Sequence, residues 1–169
     1  ALFVDPFTDF NKIRDAGHTM MNGPRGCGKS MIFRYMLPDC QQLAKKASLS
    51  DLPFLAFLVS VKNTGPNLTE FRRLSGHHAD LTLNTHVLTI FTASKVFDSL
   101  AKLDLGDEPK LRQQARCFYN EVFVARLNAC GGDSPVYDGE LENPADVFRR
   151  IAKICESLYG EIVQYVRRL

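Results

Sequence analysis

The strongest constraint on the fold is a glycine-rich stretch early in the chain. It runs Gly23-Pro24-Arg25-Gly26-Cys27-Gly28-Lys29-Ser30. This stretch, which we call the glycine loop, matches the pattern G-x-x-x-x-G-K-[ST] at every fixed position. Glycines allow backbone conformations that a Cβ forbids, so successive N–H groups can turn inward around an anion. The pattern therefore predicts a loop that holds the phosphates of a nucleotide.

The last residues of the glycine loop have separate predicted roles. The Lys29 ammonium should reach the β- and γ-phosphates, and the Ser30 hydroxyl should bind the Mg²⁺ of the nucleotide. Met31 begins a predicted helix whose positive end points at the same phosphates. The predicted nucleotide-binding residues are thus the whole glycine loop together with Met31.

The segments around the glycine loop predict an α/β fold. Residues 18–22 form a short apolar run typical of a buried strand, and residues 31–37 have the period of a helix. Residues 54–61 are apolar on both faces and predict a second, central or parallel strand. The predicted fold is a P-loop NTPase-like, helix-rich domain with an incomplete parallel sheet that carries helices on its faces.

Helical periodicity dominates the remainder of the chain. Residues 80–102 carry apolar residues at helical spacing, and further helices should begin at Pro109 and Pro144. A short helix is also predicted over residues 69–73. The predicted inward positions include Leu83, Val87, Ile90, Phe91, Phe97 and Leu100, then Leu111, Ala115, Phe118, Val122 and Leu127, and finally Val147, Ile151, Ile154, Leu158, Ile162, Tyr165 and Leu169.

Composition narrows the classes of protein. The chain has 45% hydrophobic and 24% charged residues, which is ordinary for a soluble globular protein. Its net charge of +2 gives no support for a nucleic-acid surface. Its five cysteines form no C-x-x-C pair, which predicts free thiols in a cytoplasmic, reducing compartment. The longest apolar run, residues 52–61, is about half the length needed to cross a bilayer, so no membrane partner is expected.

Two other groups of polar residues are candidate sites. His77, His78 and His86 lack the i, i+4 spacing and the nearby thiolates of a metal site, so a zinc site is not predicted there. Residues 133–143 form a polar loop that contains two acidic residues, Asp138 and Glu140. A solvated loop is favoured over a catalytic one. Residues 3–15 place Phe7, Phe10 and Ile13 on one face of a short helix, predicted to cover one edge of the nucleotide site.

The glycine loop, residues 31–36 and the segment Phe-Leu-Val-Ser-Val-Lys-Asn-Thr resemble the N-terminal part of AAA+-type P-loop ATPases, especially prokaryotic relatives of the origin-recognition ATPases. The resemblance covers residues 7 to about 100. It implies Mg·ATP binding and hydrolysis that drive conformational change in larger assemblies, with a protein partner or self-association. Residues 69–169 would then be a mainly helical insertion or extension of a single domain, residues 1–169. The start at Ala1, without a methionine, predicts an excised or processed piece.

One departure from that family is important for function. Such ATPases carry an aspartate or an Asp-Glu pair at the end of a further apolar strand, followed by sensor residues and an arginine finger. The sequence offers no recognisable match for these, so catalytic residues remain unassigned. Two alternatives stay open: a nucleotide-regulated protein-interaction module without hydrolysis, and a small-molecule kinase that recruits Arg72 and Arg73 to a lid.

Overall fold

The computed structural model describes residues 13, 17–60, 78–106, 108–129 and 143–168. The chain divides into two compact units, with the boundary between Leu58 and Val59. The predicted short helix over 69–73, the polar loop over 133–142 and most of the segment 3–15 lie outside the described residues. Each unit is described by itself.

In the first unit, two short helices follow the glycine loop. Pro38 occupies the first helical position of the second one, where its missing N–H costs no hydrogen bond, and it separates the two helices. The buried Gln41 then donates from Nε2 to the carbonyl oxygen of Tyr35 at 2.6 Å, which ties the helices together. The helices are α1 (Lys29–Tyr35), α2 (Pro38–Lys45) and a 3₁₀ helix (Leu49–Asp51).

The second unit is built from longer helices. A 23-residue helix and a 25-residue helix pack along each other, and a third helical stretch packs against the longer of them. The middle of that third stretch is a π-helix. The elements are α3 (His78–Leu100), α4 (Pro109–Cys117), the π segment (Phe118–Val124), α5 (Ala125–Ala129) and α6 (Pro144–Arg168).

The core of the second unit lies between these helices. Ile151 of α6 is completely buried, and it belongs to a cluster of small, aliphatic and aromatic side chains from α4, the π segment and α6. Aromatic rings complete the packing: Phe97 lies 6.0 Å from Phe148, and Phe91 lies 5.5 Å from Tyr159, centroid to centroid. Such pairs add about 0.5–1.5 kcal/mol beyond the area they bury. The buried cluster is Ala115, Tyr119, Val124, Val147, Ile151 and Cys155.

The π segment changes which residues face the core. A uniform 3.6-residue period predicts that Phe118 and Val122 point inward, but these side chains are 37% and 48% exposed. Tyr119 and Val124 are buried instead. The wider i→i+5 turn of a π-helix accounts for the difference, because buried positions become spaced by five residues between Tyr119 and Val124. Tyr165 of α6 was also predicted inward and is exposed.

The predicted parallel sheet is wrong for the part of the chain that the structure describes. Residues 18–22 and 54–60 form neither helix nor strand. A strand requires hydrogen bonds from a neighbouring strand, and none of the described residues supplies one. Leu55 and Leu58 are accordingly 47% and 46% exposed rather than covered on both faces. A short apolar run identifies a segment with few polar residues, and it does not by itself identify a strand.

The start of α6 provides a test of the second unit's stability. The Asn143 side-chain oxygen accepts a hydrogen bond from the Ala145 N–H at 2.9 Å, and Pro144 follows at the first helical position. We expect Asn143→Ala to lower the free energy of unfolding by about 1 kcal/mol, because an N–H of the first turn loses its acceptor. Urea unfolding followed by circular dichroism measures this. Asn143→Asp keeps the acceptor and should change little; an equal loss in both variants would contradict the cap.

Candidate functional site

The glycine loop takes a backbone path that only glycine adopts easily. Gly26 and Gly28 have φ angles of 88° and 86°, in the left-handed region. Gly28 directly precedes α1, and its carbonyl accepts hydrogen bonds from the N–H groups of Met31 at 2.9 Å and Ile32 at 3.2 Å. The glycines predicted to shape this loop are therefore found where the chain reverses direction and enters the helix.

Lys29 folds back over the loop that precedes it. Its ammonium donates to the carbonyl oxygen of Gly23 at 2.6 Å and to that of Pro24 at 2.8 Å. It also contacts Cys27 Sγ at 3.1 Å. An ammonium has three N–H donors, so these contacts fix its position against the first turn of the loop. The positive charge thus lies among the residues that the sequence pattern assigns to phosphate binding.

Cys27 lies close to the first glycine of the loop. A Cβ placed on Gly23 would come within 2.9 Å of Cys27 Sγ, so a side chain at residue 23 would displace the thiol. The hydrogen bond from Lys29 lowers the pKa of the exposed Cys27 thiol below its ordinary value. The remaining predicted site residues Pro24, Arg25, Ser30 and Met31 are exposed, with Ser30 and Met31 in the first turn of α1.

A cavity of about 390 Å³ adjoins the glycine loop. One part of its wall is the loop itself, including Lys29 and Cys27, and the other part is largely apolar. Ile13 contributes to the apolar wall. Phe7 and Phe10, which are predicted to share a helix face with Ile13, lie outside the described residues. The lining residues are Ile13, Thr19, Met20, Met21, Asn22, Gly23, Pro24, Cys27, Lys29 and Ile32.

Sequence reasoning missed the part played by the residues that precede the loop. Residues 18–22 were assigned to a buried strand, whereas Met20 is 94% exposed and lines the cavity with Met21. Asn22 accepts a hydrogen bond from the Gly23 N–H at 2.8 Å through its side-chain oxygen, and so orients the start of the loop. Their place in the sequence could have indicated this role, because apolar residues that directly precede a phosphate-loop pattern lie next to the ligand that the loop would bind.

The structure describes only some of the other residues that the sequence identified as candidates. Among the described residues, no cluster of three or more His, Cys, Asp or Glu side chains is arranged to hold a metal ion. His77, Asp138 and Glu140 lie outside the described residues. Free thiols are confirmed for the cysteines that the structure describes, namely Cys27, Cys40, Cys117 and Cys155. None of the described helices combines the length and apolar character required to span a membrane.

Within the described residues, the glycine loop is contacted by Lys29, is followed directly by α1 and adjoins the cavity, which makes it a candidate phosphate site. The chain belongs to the ORC-CDC6-like family, which it matches over residues 1–169. This membership confirms the resemblance found in the sequence and relates the chain to the origin-recognition-like AAA+ ATPases. Searches of curated proteins and of solved structures gave no match.

Proposed function

We propose that this chain binds Mg·ATP through its glycine loop, as the nucleotide-binding part of an AAA+-related ATPase. The observation that carries the proposal is the position of the Lys29 ammonium, which contacts the carbonyl oxygens of Gly23 and Pro24 and the thiol of Cys27. These contacts hold the positive charge at the loop, and on binding the ammonium would exchange one or more of them for phosphate oxygens. Membership of the ORC-CDC6-like family supports the same function.

The cavity supports a nucleotide rather than a bare phosphate. Its volume of about 390 Å³ falls within the range of small-molecule sites, which is roughly 300–1,000 Å³. The wall formed by Met21, Ile13 and Ile32 suits a flat, weakly polar base, and the wall formed by Lys29 suits phosphate oxygens. The two walls match the two chemically different ends of ATP.

Ser30 fits the role of magnesium ligand. It follows Lys29 directly, lies in the first turn of α1 and has an exposed side chain. Mg²⁺ prefers oxygen ligands and commonly keeps several waters, so a single protein hydroxyl together with phosphate oxygens satisfies it. When bound, the metal would neutralise part of the phosphate charge and orient the β- and γ-phosphates.

A ligand series tests the proposal. A fluorescent ATP analogue should bind saturably in the presence of Mg²⁺, and unlabelled ATP should displace it. Because charge-assisted contacts to phosphate supply most of the affinity, adenosine should compete at least about 100-fold more weakly than ATP. Competition by adenosine and ATP at the same concentration would contradict phosphate binding at the glycine loop.

Hydrolysis is a separate question from binding. Release of inorganic phosphate at steady state distinguishes an ATPase from a chain that holds nucleotide as a regulatory ligand for a protein or DNA interaction. Transfer of phosphate to an added acceptor would instead indicate a kinase. Phosphate release that disappears in Lys29→Ala assigns the turnover to the glycine loop, and phosphate release that persists in this variant shows that the turnover does not depend on Lys29.

A further inference from the structure

The thiol of Cys27 shares its cavity and its ammonium with the proposed nucleotide site. Its sulfur lies 3.1 Å from Lys29 Nζ, and both residues line the cavity of about 390 Å³. The cavity is an observation independent of the thiol, and it indicates that a ligand can reach this sulfur. Gly23 blocks one side of the sulfur, because even a Cβ at residue 23 would lie 2.9 Å from Cys27 Sγ. A substituent on the sulfur must therefore extend into the cavity or into solvent.

We infer that Cys27 is a modification site for small disulfides such as glutathione disulfide, and that a mixed disulfide at Cys27 excludes nucleotide from the glycine loop. The inference rests on the proposed function, because it describes regulation of the same site. The thiol contacts Lys29, the proposed phosphate ligand. A group that is bonded to the sulfur and lies in the cavity competes for the space and for the ammonium that phosphate would use.

The chemistry is a thiol–disulfide exchange. The Cys27 thiolate attacks one sulfur of the small disulfide, a new S–S bond forms at Cys27, and the original S–S bond breaks. The departing half leaves as a thiolate and takes up a proton from solvent. The Cys27 sulfur is oxidised and the departing sulfur is reduced, so no other oxidant is needed. The attached glutathionyl group carries carboxylates, which can accept hydrogen bonds from Lys29 in place of phosphate.

The other cysteines provide internal controls. Cys117 is also exposed, but it ends α4 in the second unit and is absent from the cavity lining. Cys155 is buried in the core of the second unit, and burial raises the pKa of its thiol, so it should react slowly. The contact with Lys29 lowers the pKa of Cys27, which increases the thiolate fraction available for attack at neutral pH.

The test follows glutathione disulfide modification at each cysteine by mass spectrometry, with and without saturating Mg·ATP. Cys27 should react about tenfold faster than Cys117, and Mg·ATP should slow Cys27 by at least about tenfold without slowing Cys117. The modified protein should bind the fluorescent ATP analogue at least about tenfold more weakly, and a dithiol should restore the original affinity. Equal rates at Cys27 and Cys117, or unchanged affinity after modification, would overturn the inference.

A Cys27→Ser variant assigns the effect to one sulfur. Its own affinity for the ATP analogue is measured before and after the same disulfide treatment, and the two values should agree. A loss of affinity in this variant would place the effect at another cysteine and overturn the inference. The proposed function is tested first, by measuring Mg·ATP binding to the untreated protein. If the untreated protein does not bind Mg·ATP, both the proposed function and this inference are wrong.

Discussion

Lys29→Ala is expected to weaken Mg·ATP binding by at least about 100-fold, or roughly 2.7 kcal/mol. The ammonium now lies 2.6 Å from the Gly23 carbonyl oxygen and 2.8 Å from that of Pro24. Its loss removes the positive charge that faces the phosphates and also removes the link that holds the first turn of the loop. Titration with the fluorescent ATP analogue at constant ionic strength measures the change, because electrostatic contributions vary with salt.

Lys45→Ala is the matched control for this substitution. Lys45 is an exposed lysine in the last turn of α2, so the variant loses the same charge from the same unit. Its affinity for Mg·ATP should remain within about twofold of the parent, as expected for an exposed charge that does not line the cavity. Similar losses in the two variants would mean that net charge, rather than the position of Lys29, governs binding.

Lys29→Arg distinguishes charge from shape. Arginine keeps the positive charge, but its planar guanidinium cannot reproduce the compact set of contacts that Lys29 makes with Gly23, Pro24 and Cys27. We expect binding to be weakened nearly as much as in Lys29→Ala. Full affinity in Lys29→Arg would show that a diffuse positive charge is sufficient and that the observed geometry of the ammonium is incidental.

The elements that could be predicted from the sequence are those fixed by local chemistry. Pro109 and Pro144 stand at the first position of their helices, and Asn143 accepts from the first turn of α6 as its side chain allows. Apolar residues spaced at three and four identified most of the α3 core, including Val87 and Phe91. These features depend only on residues that are neighbours along the chain.

The features that were missed depend on residues distant in sequence or on backbone detail. The predicted strand over 54–61 required a partner strand, and an apolar run does not provide that information. Likewise, the π turn between Tyr119 and Val124 shifts the buried positions, although Phe118 and Val122 are as apolar as the residues that replace them in the core. Composition alone could not distinguish the two sets.

Some features of the candidate site could be predicted from residue type, and others required the structure. The position of the glycine loop and the left-handed backbone at Gly28 follow from residue type. The contact between Lys29 and Cys27 could not be predicted from the pattern, because the residue at position 27 is variable in that pattern and the lysine side chain can point in several directions. The exposed, cavity-lining position of Met20 likewise required the fold.

Ile151→Ala is expected to lower the free energy of unfolding of the second unit by about 3–4 kcal/mol. Ile151 has no exposed surface and lies within the cluster that includes Tyr119, Val124 and Val147. Truncation removes apolar contacts and leaves a cavity, because long helices that pack along much of their length cannot close around a missing side chain without disturbing other contacts.

Urea unfolding followed by far-ultraviolet circular dichroism measures this loss, with Ile151→Val and Leu88→Ala as controls. Ile151→Val removes one methylene and should cost about 1 kcal/mol, whereas Leu88 is 48% exposed on α3 and its truncation should stay within about 0.5 kcal/mol. The urea dependence should keep its slope, since the surface exposed on unfolding is nearly unchanged. Because single domains have only about 5–15 kcal/mol of stability, the loss expected for Ile151→Ala is a large fraction of the total. An equal loss in Leu88→Ala would contradict the position of the core.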